Sequence, residues 1–333
     1  MSKKPEGFSR GVQAAAARIR DSILRTPIEH SPALSRSIGA EIFYQWECDQ
    51  TTGSFKLRGA LNKVRSLTSA ERRKGVVSAS TGNHGLAVNY AAKLEGVPLT
   101  LFLPENASPK KIDLLRTAGA DLRFYGTDCE RTEVHARGEA EAAGRVFISP
   151  YNDVEIIRGA GTIGIEILDA VPNADAVIVP IGGGGLIAGI GGYLKSERPS
   201  VRIIGVEPSA SAFMKASFAA GRLVNIRERK TAADAVAGGI EPGAITFPLC
   251  RRFVDEILTV SEIDLARALR EILDETGRMV EGAGALALAG LRKHAKRLRG
   301  MRIVLVVSGK NIAPEAFRTA VGRADRPARP VRA

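Results

Sequence analysis

The chain has 333 residues, 44% of them hydrophobic and 25% charged, and a formal charge of +12 at pH 7. That length exceeds one small core and suits two domains, or one large α/β unit with an insertion. No apolar run approaches ~18 residues, which argues against a membrane-spanning helix; the basic residues are interleaved with acids and aromatics stay at 5%, which argues against a nucleic-acid partner.

In chain order, the start "MSKKPEGFSRGVQ" is basic but has no apolar stretch behind it, so no secretory signal is expected and a cytoplasmic protein is. Residues 51–60 read "TTGSFKLRGA". Gly53 permits a sharp turn, and Ser54 is expected to cap a helix whose apolar positions are Leu57, Ala60, Leu61, Val64 and Leu67. Lys56 then lies in the first turn, where the helix dipole disfavours an ammonium by ~0.3–1 kcal/mol. An arbitrary lysine is a solvated surface residue. One placed here is also a candidate nucleophilic amine.

Strands are expected at 75–80, 97–104, 120–125 and 145–150, with helical stretches between them. The first runs into "SASTGNHGLAV" (78–88), where helix-opening amides join Ser80, Thr81, Asn83 and His84. A carboxylate would fit there, although by itself the segment reads more readily as a polar turn. A strand at 174–181 leads into "VIVPIGGGGLIAGIGG" (177–192). Only glycine lets so many amides approach one phosphate. Gly183, Gly185 and Ala188 also satisfy a loose dinucleotide fingerprint, with Glu207 ending the next strand, 201–207, as a ribose-binding acid. A helix is expected in "SEIDLARALREILDETG", and a last strand, 301–309, delivers Ser308 beside Gly309 and Asn311. The Pro- and Arg-rich tail at 324–333 reads as disordered. Cys48, Cys129 and Cys250, like His30, His84, His135 and His294, are too scattered for a metal or disulfide framework.

Strand–helix alternation implies an α/β protein with parallel sheets, and the two strand clusters, 75–150 and 174–309, imply two of them. A site between such sheets lies at the carboxyl ends of their strands. The loops there offer an amine, a carboxylate nest, a phosphate cup and a neutral hydroxyl. A dinucleotide enzyme uses the glycines but leaves Lys56 and Ser308 without work. Pyridoxal 5'-phosphate uses all four features, since it needs a lysine for its aldehyde, a cup for its phosphate and a partner for its ring nitrogen.

The motifs "TGSFKLRGA", "STGNHG", "GGGGLIAG" and "SGKN", in this order, resemble the fold-type II pyridoxal-phosphate enzymes of the threonine dehydratase and serine racemase family. The likeness runs from about residue 10 to 320. It is to the short catabolic serine/threonine dehydratases and to the related dehydratase of hydroxyectoine utilisation, without room for the regulatory domain of the long forms. The resemblance implies a tryptophan synthase β-like fold of two parallel-sheet domains with the cofactor between them. Residues 1–68 and 153–323 would form a large cofactor domain and 69–152 a small mobile substrate domain.

The same resemblance implies that Lys56 carries the cofactor as a Schiff base, that Phe55 flanks the ring and that Asn83 holds the phenolic oxygen. Gly182, Gly183, Gly184 and Gly185, with the amide of Leu186, would hold the phosphate. Ser308 would face the pyridine nitrogen, and Glu281 would touch the site. Ser80, Thr81 and His84 would line the carboxylate pocket, with Gly238 and Gly239 in the substrate loop. The implied reaction removes the β-hydroxyl of a small hydroxy amino acid such as L-threonine or L-serine, giving a 2-keto acid and ammonium. A homodimer is implied as well.

Some positions depart from the family pattern. Thr81 stands where serine racemase carries a serine as its second-face acid, which disfavours racemisation. Ala235 replaces the glycine of an "ADG" loop. Glu207 matches one acid of a divalent-metal site found in some members, but Phe213 occupies the place of the second, so no metal is expected. "SFKLR", where β-replacement synthases show an "SVKDR"-type motif, favours elimination.

Overall fold

The computed structural model describes residues 6–107 and 109–323; the tail at 324–333 lies outside them. The strands, in chain order, begin with β1 (Ile28–His30), β2 (Glu41–Gln45), β3 (Val76–Ala79), β4 (Leu99–Leu103) and β5 (Leu122–Phe124). They continue with β6 (Val146–Phe147), β7 (Ala176–Pro180), β8 (Arg202–Pro208), β9 (Glu256–Val260) and β10 (Arg302–Val306). Each strand expected from the sequence forms. β1, β2 and β9 are additions, short segments that open on or carry charged residues and so lack a clear apolar run.

The strands divide between two sheets. A six-stranded sheet has the order β1-β2-β10-β7-β8-β9, and a four-stranded sheet the order β5-β4-β3-β6. Pairing is parallel throughout except where β1 meets β2. Parallel strands need crossover helices, which cover the large sheet on both faces. The period of two is visible in the core: Val177, Val179, Val304 and Val306 pack with the helices Val154–Ala170 and Gly185–Glu197. Ile178, Ile303 and Leu305 point the other way, into the helices Glu262–Thr276 and Gly282–Lys293. Each such side chain, fully buried, is worth about 1.5–3 kcal/mol. Among the described residues no helix is long and apolar enough to cross a membrane.

The helix Lys56–Arg65 is fixed against this body in two ways. A Cβ on Gly159 would stand 2.5 Å from the Arg58 carbonyl and 2.6 Å from the Gly59 Cα, so the two helix backbones touch. Arg58, wholly buried, donates to Glu47 Oε2 at 2.8 Å and to Glu166 Oε1 at 2.6 Å. The hydroxyl of Thr26 and the amide of Gln45 complete the shell around Glu47. These contacts set the height of Lys56 above the sheet.

Candidate active site

The lysine loop is pinned to the end of β10. The amide of Phe55 donates to the Ser308 carbonyl at 3.1 Å, and Ser54 bridges Gly309 in antiparallel fashion. Gly53 turns the chain there with φ +75°. The expected Ser54 cap does not form. The helix starts behind Phe55 with no side-chain cap, and the Ser54 hydroxyl is buried without a partner. The bridge to Gly309 holds Ser54 one residue before the cap position.

Lys56 and Phe55 are half-buried. The Lys56 Nζ donates to the Pro150 carbonyl at 2.7 Å and lies 5.1 Å from the Phe55 ring centroid. Lost hydration pulls its pKa down to about 8, although the carboxylates of Glu281 and Glu133 favour the ammonium. Buried His84 sets Nε2 3.1 Å from the Ile148 carbonyl. Desolvation and the Lys56 charge hold its pKa at about 3, so the ring is neutral. With Nε2 donating to that carbonyl, Nδ1 is an acceptor, and it has no partner.

Asn83 opens the helix Asn83–Leu94, donates to Glu281 Oε1 at 2.7 Å and accepts from Asn311 at 2.7 Å. Glu281 precedes the helix Gly282–Lys293, and its amide donates to the Gly309 carbonyl at 3.2 Å. The turns carrying Ser308, Asn83 and Glu281 therefore meet beside Lys56. Ser308 is 3% exposed. In the turn after β3, Ser80 Oγ accepts from the Gly82 amide at 3.2 Å, and Thr81 stays partly exposed.

The glycine loop follows β7. Gly184 adopts φ +89°, a value other residues rarely take, and the next helix begins at Gly185 with Leu186. A Cβ on Gly183 would come within 2.3 Å of the Tyr151 ring, and one on Gly184 within 2.9 Å of Met214 Cε and 3.0 Å of Cys250 Sγ. Gly182 lies against Val236. Beside Gly184, Thr246 buries a hydroxyl with no partner. Tyr151 directly follows Pro150, so the amine and the glycine loop are neighbours.

Gly238 and Gly239 lie in the loop after the 3-10 turn Asp234–Val236. The Gly238 amide donates to Glu228 Oε1 at 2.7 Å and Gly239 faces Phe213, both on the side of the helix Phe213–Ala220. What ties this loop to the lysine side is Glu241, whose amide donates to the Tyr151 hydroxyl at 3.0 Å. Pattern reading assigns no role to Pro150 or Tyr151; their place just after β6 was the available signal. Glu207 uses its carboxylate on the amides of Met214 and Lys215, at 2.9 and 2.8 Å, and burial raises its pKa to about 7. It closes a helix start.

Among known proteins, a family described as pyridoxal-phosphate dependent enzyme matches residues 19–309. The chain belongs to that family. As a pyridoxal-phosphate enzyme it is 38% identical over 301 residues to the L-threonine ammonia-lyase of Thermotoga maritima, covering 90% of this chain and 75% of the relative. It is 38% identical over 300 residues to the catabolic L-threonine dehydratase of Escherichia coli, with 90% and 91% covered. The processed threonine deaminase isoform 2 of Solanum lycopersicum superposes with a TM-score of 0.93 at 32% identity, over 98% of this chain and 95% of that one. Maize serine racemase gives 0.88 at 32% identity, over 95% and 97%.

The residues present fit the family's cofactor. Burial lowers the pKa of the Lys56 amine from 10.5 to about 8, which eases its conversion to the free base. Gly182–Gly185 pack against Val236, Tyr151, Met214 and Cys250 too closely for side chains, which leaves their amides as the groups the loop can offer, and Thr246 leaves an orphaned hydroxyl beside Gly184. The dinucleotide alternative loses its ribose acid, because Glu207 is occupied by two amides.

Proposed function

We propose that the chain is a threonine/serine ammonia-lyase, which removes the β-hydroxyl of a small hydroxy amino acid to release a 2-keto acid and ammonium. The observation that carries this reading is the desolvated Lys56 amine, held by Pro150 next to the glycine loop, in a chain that matches threonine ammonia-lyases over nine-tenths of its length.

Phe55, Lys56, Asn83, Glu281, Ser308 and the loop Gly182–Leu186 would hold the cofactor. Bound there, it supplies an electron sink for the charge left at the α-carbon. Lys56, as a free amine, takes the α-proton. Ser80, Thr81 and the amides opening the helix Asn83–Leu94 take the substrate carboxylate. Neutral His84 keeps a competing cation away from Lys56. The Thr81 methyl crowds the face from which a second proton would return, which disfavours racemisation. Gly238 and Gly239 flank the substrate in their loop. In the same reading, 69–152 acts as a small domain that closes on the large one, 1–68 with 153–323. The protein is a cytoplasmic homodimer whose partner is a small amino acid, not a nucleic acid or a membrane; light scattering tests the dimer.

Purified protein with cofactor is expected to show a visible absorbance band at ~410 nm. It should release 2-oxobutyrate from L-threonine without added thiol and form little D-serine. Lys56→Ala should lose both the band and the turnover. A band that survives in Lys56→Ala, or no keto acid from either threonine or serine, refutes the assignment.

A further inference from the structure

Charged groups on the small-sheet side of the cleft have no part in the chemistry above. Arg137, on the helix Cys129–Ala142, pairs with Glu133 Oε1 at 2.7 Å on its own helix and with Glu241 Oε2 at 2.8 Å in the loop after Gly238 and Gly239. Its guanidinium lies 4.4 Å over the Phe147 ring. The trio is built around Tyr151, whose hydroxyl accepts from the Glu241 amide and whose ring rests on Gly183. Burial pushes the Glu133 carboxyl above its ordinary pKa, against the pull of Arg137 and, less, of Lys56. The cluster thus links the helix Cys129–Ala142 to the loop that follows Gly238 and Gly239, and on the proposed function that is where the side chain of a bound amino acid would extend.

With both carboxyls ionised, two carboxylates against one guanidinium leave a net negative charge. Arg137 is a group that would welcome a second carboxylate on the substrate, and both acids are already on it. The chain as a whole is strongly basic, so its long-range field draws anions of every kind toward the cleft. Selection against them has to be local, and like charges brought together supply it. Resting on the elimination reading, we propose that Glu133, Arg137 and Glu241 form a charge filter. It rejects β-hydroxy amino acids bearing a second carboxylate and passes those with neutral side chains.

The test compares kcat/KM for L-threonine and L-threo-3-hydroxyaspartate in the holoenzyme, in Glu133→Gln and in the Glu133→Gln/Glu241→Gln double variant. The wild type should prefer threonine by about 100-fold or more, since juxtaposed like charges are strongly unfavourable. In the double variant Arg137 is unmasked, and that ratio should fall at least about tenfold. Adding Arg137→Gln should remove the gain. A wild type that accepts both substrates to within about threefold, or a ratio unmoved in the double variant, overturns the proposal. Should the double variant not fold, spectral titration of wild type and Glu133→Gln with L-alanine and L-aspartate reads the same filter. Aspartate should bind more weakly than alanine, and the gap should narrow in the variant; an equal gap in both overturns the proposal. A protein that eliminates from neither hydroxy amino acid refutes the ammonia-lyase reading, and the same titration still decides the filter.

Discussion

Lys56 is made reactive by its surroundings. Its ammonium releases a proton near pH 8 in place of the ordinary 10.5 because protein has replaced water around it. Uptake of cofactor by the apoprotein, followed by absorbance, should therefore rise with pH with a midpoint near 8. Glu281 opposes that shift, so Glu281→Gln should move the midpoint lower; an unmoved midpoint would mean that Glu281 does not act on the lysine. His84 carries a stability consequence of its own. Folded, it takes a proton only at about pH 3, whereas unfolded it takes one near 6.5. The unfolded chain binds more protons between those values, so this contribution is lost as pH falls through that window. Urea melts of the apoprotein should show His84→Gln flattening the slope below pH 6.5.

At the scale of elements, the helix Lys56–Arg65 depends on one buried ion network and one backbone contact. Arg58→Ala would leave Glu47 and Glu166 facing each other in the interior, at a cost of about 3–5 kcal/mol, visible as a large fall in Tm. Gly159→Ala would force two touching helices apart, at about 1–3 kcal/mol, and should lower cofactor affinity with it because Lys56 rides on the displaced helix. The element pattern was legible where apolar runs are long. β7 and β10 bury every side chain or nearly so, and their sequences show it. β1 and β9 were not legible, because three to five residues with a charged one among them look like loop until a neighbour pairs with them. Ser54 was misread for the same reason: a serine ahead of a helical pattern is a cap unless a distant strand end claims its backbone, as Gly309 does.

At the scale of the molecule, the segment after β6 joins the two sheets and carries several parts of the site. Pro150 holds Lys56, Tyr151 lies on the glycine loop and receives Glu241, and Asn152 accepts the Ile245 amide at 2.9 Å. Asp153 then caps the helix Val154–Ala170 and pairs with Lys63 at 2.6 Å. A substitution here should disturb binding and turnover together. Tyr151→Ala removes one hydrogen bond and the ring packed on the glycine loop, and kcat/KM for threonine should fall by up to about tenfold for the hydrogen bond alone. Tyr151→Phe should fall by the hydrogen-bond part only, and equal losses in both variants would mean that the ring contributes nothing.

What this protein's sequence determined by itself was the chemistry of its loops. A lysine behind a glycine turn, a polar helix start, a tetraglycine bend and a serine after a strand are local features, coded by backbone propensities within a few residues. The tertiary structure decided how those groups behave. Lys56 meets its carbonyl partner 94 residues away and Arg137 meets Glu241 104 residues away. The lowered lysine pKa, the Ser54 that caps no helix and the ion pairs of Arg137 all come from such distant contacts and from exclusion of water, which no local pattern encodes.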